Sequence, residues 1–423
     1  MSNKVLKNSL IYVAGDVINK AVPFLMLPIL TKYLTPSDYG MIASFTSFVG
    51  FLTIFIGLSL HGAVNVAFFR LSREVLRVYI VNTLLILGLT SALVLLVVFI
   101  FDTTISKRLL LEKEWLYIAI LVSLSQFITL INTTLWIAEQ NPKSYSVYQI
   151  TQTILITALT ILLVIGFGFG WEGQVLAMVV GSISFAMVSV VFLQKRDYLT
   201  FEYRKEDIKD LLKFGVPMIP HQLSGWIRTS GDKILLIIMV GSASTGLFSV
   251  GYQVAMIMTL LTTAFNKAWN PYLYKLLNKK DNHKNKIKIV KLTYIYFVSI
   301  VILFIVLYFL SGLIFKYLLD DRFLDSMEFV VYILLANTFN GMYFMVSSYL
   351  FYTKETKKLA KITFSTSIIH IMLSYLFVTT FGAIGVAYSG VISMLLIFVW
   401  VWHSSNGVYA MPWLYWREQC TIK

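Results

Sequence analysis

Apolar stretches long enough to cross a bilayer follow one another almost from end to end of this chain, and that succession decides what it can fold into. Spanning about 30 Å of hydrocarbon as a helix takes about 20 mostly apolar residues. Of the 423 residues, 58% are hydrophobic and only 13% charged, whereas soluble domains run at about 25% charged. An ordinary soluble enzyme is excluded. The connections between stretches are too short to fold alone, so no sizeable extramembrane domain is expected.

Hydropathy windows of roughly 19 residues predict twelve helices, near residues 9–31, 41–61, 78–101, 115–137, 147–167, 173–194, 212–238, 245–269, 292–315, 327–350, 361–381 and 385–404. The expected fold is an all-α integral membrane protein. The start, MSNKVLKNSL, is basic, but the apolar run after it carries Asp16 and Lys20 and lacks a cleavage pattern; it reads as a retained first span. Cys420 is the single cysteine, which excludes an intrachain disulfide and a multi-cysteine metal site.

Charge placement orients these spans. The chain carries +14 net charge, which by itself could suggest nucleic acid. Twenty-five of its 35 Lys and Arg fall in the loops on the side of the N-terminus and six in the opposite loops. Basic residues collect on the cytoplasmic side, so both termini are expected there. The basic surplus then faces anionic headgroups rather than nucleic acid.

Weak internal repeats divide the chain. LTPSDYG at 34–40 aligns with VGSASTG at 240–246, His61 falls opposite Lys267, and FGWEGQVLA at 169–177 resembles FGAIGVAYS at 381–389. In order, these matches imply two six-helix halves, 1–200 and 201–423, related by an axis along the membrane normal around a central cleft. Pro23 and Pro28 interrupt the first span, and Pro217 and Pro220 interrupt its equivalent, the seventh. Proline removes a helix hydrogen bond, and interrupted helices at matching places point to a transporter's moving or binding elements. These four prolines mark spans one and seven as candidate gating helices; packing alone is the competing explanation.

An ionisable residue inside a span costs about 2.5–3.5 kcal/mol at the helix centre and usually faces a cavity or partner. Asp16 and Lys20 are four apart, as are Arg228 and Asp232, with His221 and Lys233 in the same seventh span. Mutual neutralisation would only lock packing; the surplus of bases suggests a cationic lumen. His61 and Lys267 are candidate substrate contacts. Asp16, Asp232, Glu139 and His370 are candidate proton or sodium sites. Amides and hydroxyls in the spans, Gln126, Asn132, Thr133, Gln149, Gln152, Gln222, Ser224, Asn337 and Asn340, could join helices. Beside Trp136, Trp226 and Trp269 they would also suit a sugar. No phosphate loop, HExxH, CxxC or GxSxG pattern occurs, so no ATP-hydrolysing, metal or serine-nucleophile chemistry of those kinds is expected, nor any cofactor.

The segments NSLIYVAGDVINKAVPFLMLPILTKYLTPSDYG at 8–40, KFGVPMIPHQLSGWIRTSGDKILL at 213–236 and GLFSVGYQVA at 246–255 resemble the polysaccharide transport family. These are the Wzx-type O-antigen flippases of lipopolysaccharide synthesis, in the superfamily that also holds multidrug and toxin extruders. The resemblance implies a flippase that moves undecaprenyl-diphosphate-linked oligosaccharide to the outer leaflet through a basic cavity. It assigns that role to Lys20, Arg228 and Lys233, with Asp232 at the acidic position. An O-antigen polymerase and a chain-length regulator are the partners it implies. A multidrug extruder remains an alternative, although cationic drugs favour an acidic cavity. A glycan polymerase or ligase is disfavoured by short external loops.

Overall fold

A computed structural model describes residues 15, 19, 21–200, 202–278 and 282–414. Among them every regular element is helical. They form α1 (Ala21–Tyr33), α2 (Pro36–Gly57), α3 (Leu60–Phe68), α4 (Arg73–Leu109), α5 (Lys113–Ala138), α6 (Pro142–Thr160), α7 (Gly170–Lys195) and α8 (Lys205–Gly215). There follow α9 (Ile219–Trp226), α10 (Asp232–Met239), α11 (Ser242–Leu277), α12 (Asn282–Tyr317), α13 (Ser326–Tyr352), α14 (Thr356–Phe381) and α15 (Gly385–Val408). Nine runs among the described residues are long and apolar enough to cross a membrane, with α14 and α15 counted as one. Separating that pair, and adding the shorter α1 and the segmented α8–α10, gives the twelve expected spans.

Several helices outrun their predicted spans. The 37 residues of α4 extend about 55 Å at 1.5 Å per residue, well beyond the hydrocarbon. Hydropathy finds only the apolar middle, 78–101, because the ends carry Arg73, Arg77, Lys107 and Arg108. On the middle, Leu85, Leu89, Leu93, Leu96 and Ile100 are exposed at spacings of three and four, which forms one lipid-facing stripe. Its opposite face buries Asn82, Thr83, Ile86 and Leu87.

The second predicted span, 41–61, is two helices. Leu58 (φ 47°) and Ser59 (φ 55°) adopt left-handed backbone between α2 and α3, which is costly for residues with a Cβ. A Cβ on Gly215 would lie 2.6 Å from Leu58 O, so glycine there lets α8 close against this break. Gln222 Nε2 donates to Ser59 Oγ at 2.7 Å.

The chain divides into two compact units, Met1–Ser249 and Val250–Lys423. The first contains α8–α10, because the seventh span is pinned to α2: Trp226 Nε1 donates to Ser47 O at 2.9 Å, and its ring lies 5.1 Å from Phe51. In the second unit α13 packs on α15 and α12, and Gly341 admits the Ile300 side chain where a Cβ would stand 2.2 Å away.

Candidate functional site

The seventh span changes its winding four times. After α8 come a 3-10 turn at Val216–Met218, α9, a π-helical turn at Ile227–Gly231, and α10. Pro217 lies in the 3-10 turn and Pro220 in the first turn of α9, where a missing N–H costs least. The interruption read from those prolines is thus present. By contrast Pro23 and Pro28 lie within α1 and leave it unbroken.

Arg228 is inside the π turn, and Asp232 and Lys233 open α10. All three are half-buried, while His221 is exposed. A π turn closes i→i+5 hydrogen bonds, so the helix is wound more loosely at Arg228, just ahead of Asp232 and Lys233. This segment therefore presents a basic group, an acidic group and a second basic group in succession within a membrane span. Asp16 and Lys20 lie outside the described residues.

The remaining candidates lie on other elements. His61 packs edge-on to Phe127, ring centroids 5.7 Å apart. Lys267 is exposed on α11 in the second unit. His370 is buried and its Nδ1 meets Ser393 Oγ at 3.1 Å, joining α14 to α15. Asn337 Nδ2 donates to Ala255 O at 3.3 Å.

Glu139, a candidate ion site by sequence, is engaged by protein groups. Arg196 Nη1 binds Glu139 Oε2 at 2.9 Å, and Tyr198 donates its hydroxyl to Oε1 at 2.6 Å. The same guanidinium donates to Asn132 Oδ1 and covers the Trp136 ring at 4.8 Å, while Arg73 covers the Tyr198 ring at 3.5 Å. Burial and the bond to Glu139 push the Tyr198 hydroxyl up to about 12. Arg77 pairs with Asp197 at 3.0 Å. The 196–204 connection is therefore fastened to α4 and α5. Sequence spacing could not reveal this latch, because Arg196 reads only as one more loop base.

At the opposite ends of the helices, α2 and α11 cross closely. A Cβ on Gly40 would stand 1.9 Å from Ser242 O, and one on Gly246 1.7 Å from Pro36 O. Ser37 Oγ lies 2.6 Å from Ser242 Oγ. Residues 36 and 40 correspond to 242 and 246 in the repeat, so each glycine meets its partner's helix start reciprocally, the signature of a local two-fold contact.

This all-helical multi-pass bundle has the fold of membrane transporters of the MOP superfamily. The structure is similar to an inward-facing multidrug resistance MATE family transporter of the MOP superfamily, with TM-score 0.68, 15% identity and coverage of 92% of this chain and 95% of that one. It is also similar to the lipid II flippase MurJ in an inward closed conformation, with TM-score 0.76, 17% identity, and 94% and 87% covered. Residues 5–277 match the family described as Polysaccharide biosynthesis protein, and the chain belongs to that family. Residues 217–376 also match MatE. Two relatives from Haemophilus influenzae (strain ATCC 51907 / DSM 11121 / KW20 / Rd) are similar along most of their lengths. "Lsg locus putative protein 1" is 24% identical over 400 residues, covering 93% of this chain and 96% of its own; an "Uncharacterized membrane protein" is 26% identical over 366 residues, covering 84% and 86%.

Proposed function

We propose that this protein is a flippase that carries a lipid-linked oligosaccharide across the bacterial inner membrane, from the cytoplasmic to the outer leaflet. The observation that supports it most is the row Arg228, Asp232, Lys233 in a span whose winding breaks at both proline and π turns, within a polysaccharide biosynthesis family. A diphosphate-linked glycan head is polar and anionic and cannot cross hydrocarbon unaided, while its polyprenyl tail can stay in lipid. Two bases inside the span offer the head charge-assisted hydrogen bonds. Asp232 moderates their field so that the head is released rather than trapped.

Alternating access would rock the repeat-related halves 1–200 and 201–423, with both termini cytoplasmic and proton or sodium antiport supplying energy. The Gly40–Gly246 crossing would then be the outer gate in its closed state. An O-unit polymerase and a chain-length regulator are the expected partners. The test is reconstitution: purified protein in proteoliposomes should move a fluorescent lipid-linked oligosaccharide into the opposite leaflet, and Arg228→Ala should slow it at least tenfold with abundance unchanged. Full-rate movement by that variant removes the row from the mechanism.

The MatE match over 217–376 favours one second reading, multidrug extrusion. Ethidium or fluoroquinolone efflux by the same vesicles, without glycolipid movement, would select it.

A further inference from the structure

Away from the charged segment, four helices of the first unit enclose a cavity of about 370 Å³. Its polar lining comprises Thr46 of α2, Gln126 and Thr129 of α5, Gln152 and Thr160 of α6, and Gln174 and Ser182 of α7; Thr160 Oγ1 donates to Ile156 O at 2.8 Å. Thr46 Oγ1 is occupied, donating to Ile42 O at 2.8 Å, and Thr129 Oγ1 accepts from Tyr148 at 3.4 Å. Gln126, Gln152 and Ser182 have no side-chain hydrogen bond to any described residue, and Gln174 Oε1 is buried without one. Each amide offers two donors and an acceptor, and such groups inside a membrane bundle are costly unless something pairs with them. Their alignment in one hollow calls for a guest.

The lining defines that guest. Among the described residues its lining carries no charged side chain, which favours a neutral guest over a diphosphate or a bare cation. Three amides and a serine hydroxyl both donate and accept, as sugar hydroxyls do. Ile156 and Met178 supply apolar wall for the C–H face of a ring. The volume falls at the small end of ligand pockets, which begin at about 300 Å³, enough for a single ring and too small for an oligosaccharide. We propose that this cavity is a subsite for one neutral sugar unit of the transported glycan, and that it selects among glycans while the charged segment engages the diphosphate. The assignment rests on the flippase reading for its source of sugar.

Two of the three amides were visible in the sequence as span glutamines; Gln174 was not, because it follows the external loop by only a few residues. Their convergence is a product of the bundle.

The experiment uses the full chain in nanodiscs, with neutral methyl glycosides (hexosides and N-acetylhexosaminides) and inorganic diphosphate as probes, read by saturation-transfer NMR. At least one glycoside should bind with a millimolar dissociation constant. The Gln126→Leu/Gln152→Leu protein should bind it at least tenfold more weakly, with the diphosphate response unchanged. Both leucines replace unpaired amides, so its melting temperature should equal or exceed that of the unaltered protein. Gln174→Met, close in shape, supplies a second variant with the same expected loss if the double variant misfolds. No glycoside binding by the unaltered protein would mean a cavity holding water only and would overturn the proposal, as would undiminished binding by both variants. Glycoside binding without movement of any lipid-linked oligosaccharide would strike the flippase reading and leave this site standing; the reverse pattern would do the opposite.

Discussion

The Arg196–Glu139 pair shows how much one residue contributes when several partners converge on it. Its side chains are 18% and 24% exposed, so the pair is screened less than a surface one. Arg196→Met should cost about 1–3 kcal/mol, read as a lower melting temperature, because it leaves the Glu139 carboxylate half-buried with only Tyr198. The double variant Arg196→Met/Glu139→Met should recover part of that loss, since removing both charges removes the stranded one. Additive losses would mean that the two groups do not interact.

Asp207, near the start of α8 and ahead of the apolar stretch 212–238 that enters the membrane, is the converse case: a buried acid whose stability contribution has the opposite sign. Burial raises its carboxyl above the ordinary 3.8 despite Arg204 and a 3.3 Å donation from Asn82. The folded state therefore holds this proton more tightly than the unfolded chain does. Stability is gained below 3.8 and lost as pH rises through the raised value. Asp207→Asn should increase the melting temperature at pH 7, and the increase should shrink as the pH falls toward 4. A gain independent of pH would exclude ionisation as the cause. Sequence exposed neither partner set, since Glu139 and Arg196 are 57 positions apart and Asp207 sits in a charged stretch that looks uniformly solvated.

Among the elements, the seventh span combines features that were legible with one that was not. Pro217 and Pro220 are local signals, because a residue without N–H alters winding wherever it is placed, and the broken helix followed. The π turn at Ile227–Gly231 has no such marker. It depends on how α9 is held to α2 through Trp226 and how α10 continues beyond, which is tertiary information. Gly231 makes this turn testable. A Cβ there would lie 3.7 Å from Ile227 Cγ2, ordinary contact, so Gly231→Ala introduces no clash and favours regular α winding by roughly 1 kcal/mol. We expect unchanged or higher thermal stability together with slower glycolipid movement. Unchanged transport would mean that the π turn has no part in the cycle. The α2–α3 break is a parallel case: hydropathy runs straight through Leu58 and Ser59, and only the backbone reveals the two left-handed residues facing Gly215.

At the scale of the molecule, the net charge of +14 says more about topology than about substrate, and twelve spans with short connections were readable from hydropathy because lipid imposes one length on every helix. LTPSDYG and VGSASTG were aligned on a few small and turn-forming residues, and those same positions make the reciprocal glycine contacts between α2 and α11. If the two repeats rock apart as proposed, that crossing is the contact they would have to release to open outward. A covalent link gives the direct test. Ser37 Oγ and Ser242 Oγ are 2.6 Å apart, close to the roughly 2.05 Å of a disulfide, so Ser37→Cys/Ser242→Cys in a Cys420→Ser background should cross-link on mild oxidation. On the flippase reading, oxidised protein should bind the lipid-linked oligosaccharide yet fail to deliver it to the outer leaflet, and reduction should restore delivery to the level of the unlinked protein. Delivery by the fully cross-linked protein would show that the α2–α11 crossing stays closed throughout the cycle and that the outer path opens elsewhere.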